Sequence, residues 1–126
     1  MLKVTSEVAR LKRVVVQRPG DALAQMLPRH IEPQSSHYLL FDDLVHVPDA
    51  QKEHDQMCRV LGTSAEVGFW DDMLVEVLHH ESAREFVIDE VGRLEELPGV
   101  MMTRMAAMEP DELARMVVVG AGRGGL

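Results

Sequence analysis

Hydrophobic positions change character part-way along this chain. In the first seventy residues they come in short runs: Val14-Val15-Val16, Tyr38-Leu39-Leu40-Phe41, and a third, interrupted by Glu66, between Ala65 and Trp70. Lys12 to Arg18 predicts a strand, because three consecutive valines are stiff at χ1 and favour extended backbone. The run does not alternate, the pattern of a strand covered on both faces. Pro19-Gly20 ends it. Asp21 to Leu27 predicts a short helix capped by Asp21, with Pro28 beyond its end. Residues 28–37 make a connection. The run Tyr38 to Phe41 reads as a second buried stretch, and the two acids that follow it, Asp42-Asp43, mark the rim of a sheet. Pro48-Asp49-Ala50 opens a helix that runs to about Leu61 and stops at Gly62. Ala50, Met57, Val60 and Leu61 form its inward stripe, with Lys52, Glu53, His54 and Asp55 on the solvated face. Ala65 to Trp70 predicts another strand, which completes a βαβ-like unit.

Beyond residue 71 the apolar positions take helical spacing. Asp71 to His80, Glu81 to Leu97, Val100 to Met108 and Pro110 to Val119 all read as helices. Pro98-Gly99 breaks the second, and Pro110 suits the first turn of the last. Met101-Met102 and Met105 to Met108 hold several of the nine methionines, read as adaptable packing between helices. The division that follows is 1–70 for the first module, 71–120 for a helical bundle, and 121–126 for a loose Gly-rich tail.

Composition narrows the function. With 46% hydrophobic and 27% charged residues the chain is globular rather than disordered. A formal net charge of -8 repels phosphate backbones and anionic surfaces, so nucleic acid and membrane are not expected partners. One cysteine cannot form an internal disulfide, and neither a signal-like nor a membrane-spanning apolar run is present. The expected compartment is the cytoplasm.

Few residues offer chemistry of their own. Gly120-Ala121-Gly122-Arg123-Gly124-Gly125 has the G-x-G-x-x-G spacing, but no helix follows to supply the dipole that binds phosphate, so a helix end with a Gly cap is the preferred reading. Cys58 lies towards the carboxyl end of its helix, where a thiol is not activated, and reads as structural. His30, His37, His46, His54, His79 and His80 read as surface residues. Adjacent helical positions such as His79-His80-Glu81 and Glu53-His54-Asp55 point about 100° apart and chelate one ion poorly. Of Asp42 and Asp43, one is expected to cap a loop. Neither cofactor nor metal is expected.

Three segments carry a family likeness: Ser6 to Gly20 with its Ser-Glu lead-in and Val-Val-Val-Gln-Arg-Pro-Gly, then Leu39-Leu40-Phe41-Asp42-Asp43 after Pro28, then Asp49-Ala50-Gln51-Lys52-Glu53-His54-Asp55. In this order and spacing they resemble the opening of bacterial arginine deiminases, over residues 6–70. The stretch Glu112 to Gly120 resembles the last helix of the bundle that family inserts after its first module. The resemblance implies an α/β fold, the first βαβ-like module of a five-bladed α/β propeller followed by a small helical bundle. It implies hydrolysis of L-arginine to L-citrulline and ammonia without a cofactor, by a cysteine thiolate with a histidine handling protons and acids holding the cation. The family's catalytic motifs are not found in these residues. Met102-Thr103-Arg104-Met105 is similar to its Phe-Thr-Arg-Asp motif, but Met105 stands at the acid's position. One binding position carries over: Leu40, in the segment that touches the substrate's amino-acid end, through shape and backbone, with a plain core leucine as the alternative. The expectation is therefore a truncated amino-terminal part, inactive alone and prone to self-association through exposed strand edges. The alternative is a non-enzymatic helical module whose Met-rich face binds a partner.

Overall fold

The computed structural model describes residues 4, 6, 8–39 and 41–120. Strand β1 (Arg13–Val16) leads through a short helix α1 (Asp21–Ala24), a 3-10 turn (Pro28–His30) and helix α2 (Val47–Leu61) to strand β2 (Glu66–Phe69). Helices α3 (Trp70–Leu78), α4 (Glu81–Leu94), α5 (Gly99–Ala106) and α6 (Pro110–Val119) follow. The strands pair in parallel, with Arg13 opposite Glu66 and Val16 opposite Phe69. A parallel pair needs a long crossover, which the segment containing α2 supplies. Arg13 Nε donates to Glu66 Oε2 across the pair at 2.7 Å.

Several expectations need correcting. Val14 and Val16 are half-buried while Val15 is 44% exposed, so β1 is covered on one face rather than both. Asp21 is the first residue of α1, not its cap; Gly20 holds that position. The Asp21 carboxylate instead receives Arg115 of α6, at 2.8 Å from Nη2. Tyr38, Leu39 and Phe41 form no strand, and Leu39 and Phe41 are exposed. The inward face of α2 is also rotated from the expected stripe. Of that stripe Ala50 and Leu61 are half-buried but Met57 and Val60 are exposed, and Val47, Gln51, His54 and Cys58 complete the inward face. The His54 side chain is only 10% exposed and lies against the Phe69 ring, with centroids 6.3 Å apart. An aromatic imidazole can face a sheet, which a count of apolar residues misses.

The core lies in the helical region. Leu78, Ile88, Met101, Met105, Leu113 and Ala114 are buried together, with Val91, Leu97, Met102 and Met116 packed around them. Thus Met101 and Met105 do fill space between helices. Gly92 lets α4 approach α5: a Cβ there would meet the Met102 side chain at 2.8 Å. Helix α4 ends at Leu94, earlier than expected, because Glu96 turns to φ 51° and the Leu97 N–H bonds back to the Gly92 carbonyl at 2.9 Å. That closure folds Leu97 onto the core, as in a Schellman end. Helix α6 matches its expected bounds, with Pro110 in its first turn and Gly120 at φ 84° after its last. Among the described residues no helix is long and apolar enough to cross a membrane.

Candidate functional site

The turn that leaves β1 is fixed by α2. Arg18 grips Asp55 with two parallel hydrogen bonds, Nε to Oδ1 at 2.8 Å and Nη2 to Oδ2 at 2.9 Å. This fork matches the planar carboxylate. Hydrogen bonding from Arg18 holds the Asp55 carboxyl below the usual carboxylate range, and the same bond raises the guanidinium pKa. One helical turn earlier, Gln51 Nε2 donates to the Pro19 carbonyl at 2.8 Å. Proline cannot itself donate there, and Gly20 then opens α1.

This fixed turn forms one side of a wide-mouthed cleft of about 780 Å³. Its apolar lining includes Pro19, Leu23, Met26, Leu27, Leu39 and Phe41. Among the described residues, Arg18, Arg29 and His30 supply its charged or titratable groups, and none that lines it is acidic. Leu39 is tied to the 3-10 turn, its N–H donating to the His30 carbonyl at 2.8 Å. Leu40 lies outside the described residues, between two that line the cleft. His30, read from the sequence as a surface residue, is half-buried at this cleft. Neither Arg29 nor His30 was singled out as a binding residue, because their convergence depends on the turn and not on sequence spacing.

Other candidate groups are not brought to this cleft. Cys58 Sγ lies 3.5 Å from His54 Nδ1 and 3.8 Å from Nε2, and His54 Nδ1 is 3.9 Å from Asp55. Near-equal distances to both ring nitrogens place the sulfur off the lone-pair direction of either, which is packing rather than nucleophile–base geometry. Neither Cys58 nor His54 lines the cleft, and Asp55 is engaged by Arg18. Asp42 and Asp43 are exposed, and Asp43 Oδ1 accepts the Leu44 N–H at 2.7 Å, a local loop contact. His37, His46, His79 and His80 are exposed. Gly120 ends α6, while residues 121–126 of the Gly-rich motif lie outside the described residues. Met105 is fully buried and Thr103 Oγ1 donates to the Gly99 carbonyl, so that segment is helix interior rather than a site. A smaller cavity of about 310 Å³ lies between α1, α3 and α6, lined by Val75, Ala114 and Val118 and bordered by the Asp21–Arg115 pair.

The family model for arginine deiminase matches residues 37–122. The chain belongs to the arginine deiminase family. Arginine deiminase of Streptococcus agalactiae serotype Ia is 37% identical over 90 residues, which cover 71% of this chain and 21% of the relative. Arginine deiminase of Pediococcus pentosaceus is 31% identical over 125 residues, 94% of this chain and 30% of the relative. That of Staphylococcus haemolyticus is 34% identical over 91 residues. The chain thus spans between a fifth and a third of the length of these curated relatives. The family match runs through the helical region up to residue 122, beyond the segments that first carried the likeness.

Proposed function

We propose that this chain is the amino-terminal part of an arginine deiminase-like hydrolase, which converts L-arginine and water to L-citrulline and ammonia in the cytoplasm. Residues 1–70 are the first βαβ-like module of a five-bladed α/β propeller, 71–120 its helical insertion, and 121–126 a tail. The observation that carries this reading is the cleft lined by the Arg18-Pro19-Gly20 turn and by Leu39 and Phe41, with no acid among its described lining residues. A guanidinium needs carboxylates, and the described lining of this cleft supplies none. It suits the other end of arginine, with Leu40 in backbone and shape contact. The thiolate, histidine and acids that act on the guanidinium carbon belong to other parts of such an enzyme. No cofactor takes part.

The 126 residues by themselves do not turn over arginine. The test incubates the purified chain with L-arginine, alone and with the remaining polypeptide of a relative supplied in trans, and assays citrulline. Citrulline only in the mixture supports the reading. Turnover by the chain alone, or a mixture as silent as its parts although the two bind each other, would count against it.

A further inference from the structure

The turn that leaves β1 is a wall shared by two cavities. Gln17, Arg18 and Gly20 line the wide cleft and also the smaller cavity of about 310 Å³ where α1 meets α3 and α6. That smaller space equals roughly ten waters of the liquid, room for a small organic molecule. Helix α6 meets it along one face, with Asp111, Ala114 and Val118 on successive turns, and Val75 of α3 adds apolar surface. The charges around it are uneven. Arg18 is matched by Asp55, and Arg115 by Asp21. Asp71 is half-buried in the first turn of α3, and Asp111 is exposed in the first turn of α6. Neither enters an ion pair among the described residues. Two carboxylates therefore border one apolar concavity whose lining cations are both engaged. A positive group on an apolar stem complements that arrangement. Carboxylates on separate helices suit an ammonium, whose three donors can address both, better than a planar guanidinium fork matched to one.

We propose that this seam cavity binds a small aliphatic amine in its ammonium form, with Asp71 and Asp111 pairing the charge and Val75, Ala114 and Val118 holding the stem. The occupant braces the β1–α1 turn from the side away from the cleft, through Gln17 and Gly20, without entering the cleft itself. The site stands apart from the reading of the cleft given above, and no group in it acts on a substrate.

The test uses the nitrogen-labelled chain at low ionic strength and follows its amides by NMR. Pentylammonium, 1-pentanol, pentanoate and ammonium chloride are titrated separately. Pentylammonium shifts the Val75, Ala114 and Val118 amides saturably, and binds about tenfold more tightly than pentanol, as two partly exposed ion pairs allow. Pentanoate and ammonium leave those amides still. Asp71→Asn and Asp111→Asn each weaken pentylammonium about threefold, an equal share of that preference, and the double variant binds it no better than pentanol. An unchanged Leu113 amide shows that the bundle persists in each variant. Amide exchange at Gln17 and Gly20 slows as the amine saturates. Pentanol binding as tightly as pentylammonium would overturn the cation site. So would the absence of saturable shifts, an affinity untouched by both Asn substitutions, or equal shifts at acids elsewhere, such as Glu81 and Glu85. Exchange at Gln17 and Gly20 that ignores saturating amine would overturn the bracing. None of these measurements uses arginine or citrulline, so they can fail while the hydrolysis assay succeeds, or succeed while it fails.

Discussion

The two halves of this molecule are held together by different physics. Every buried hydrophobic side chain among the described residues lies in α3 to α6: Leu78, Ile88, Met101, Met105, Leu113 and Ala114. The region before Trp70 has none. Its strands hold no fully buried residue, and its cleft is fixed by directed polar contacts: Arg18 to Asp55, Gln51 to Pro19, Leu27 to His30. Stability is thus concentrated away from the cleft, which is on the thinly packed side. Binding surfaces are commonly drawn from regions of low local stability. Here the reason is visible: one region excludes water with apolar volume, while the other holds its geometry with hydrogen bonds that remain open to solvent.

The sharpest way to break this contrast is to delete volume on each side. Leu113 has no exposed surface, and truncating it leaves a cavity that α3 and α6 cannot readily close. Leu113→Ala should cost about 2–5 kcal/mol in urea unfolding. Val14→Ala removes two methyl groups that are only half-buried in β1, and should cost about 1 kcal/mol. Equal losses in the two variants would show that the strand module carries as much packing as the bundle.

A second, smaller effect asks whether the bundle also depends on polar contacts. Arg84 of α4 donates its Nη2 to the carbonyls of Met105, Ala106 and Met108, where α5 ends and the chain turns towards α6. The Met105 carbonyl also accepts the Met108 N–H at 3.2 Å, so the guanidinium matters most at the carbonyls of Ala106 and Met108, at and beyond the end of α5. Arg84→Met keeps most of the apolar stem and removes the donors, so a loss of about 1–3 kcal/mol is expected from the stranded carbonyls. A loss within error of zero would mean that water replaces the guanidinium and that packing alone holds the bundle.

The same contrast governs how much could be read from the sequence. Helix α6 was legible to the residue, because Pro110 and Gly120 are local signals and each acts at its own position. The end of α4 was not, because Glu96 takes a left-handed conformation that no residue preference announces. It is held there by Leu97 reaching the core. The inward face of α2 was misplaced because His54, a polar residue, packs on Phe69, while Met57 and Val60 stay exposed. In the cleft, the Arg18-Pro19-Gly20 turn and the Leu39–Phe41 wall belong to motifs visible along the chain. The Arg29–His30 rim does not. It exists only once a turn has aimed one lone pair at a backbone N–H, and composition gives no hint of that.

The smallest predicted effect separates the regions by pH. The folded Asp55 carboxyl lies below its ordinary value, first because Arg18 hydrogen-bonds it, and Asp49 is lowered in the same sense, by Lys52 and then His46. A depressed carboxyl contributes stability above the unfolded value, about 3.9 for aspartate, and loses it as pH falls through the folded value. Both groups are exposed, so screening keeps the contribution small. Acid should therefore loosen the cleft before it touches the bundle. As pH drops below about 4, amide exchange at Gln17, Arg18 and Gly20 should accelerate relative to that at Met105 and Leu113. In Asp55→Asn the turn should already exchange faster at neutral pH, with a flatter acid response, because the charge that titrates is gone. If wild type and Asp55→Asn showed the same acid profile at the turn, the Arg18 grip would not be what fixes it. If bundle amides loosened first, the division between an apolar core and a polar-pinned site would not describe this molecule.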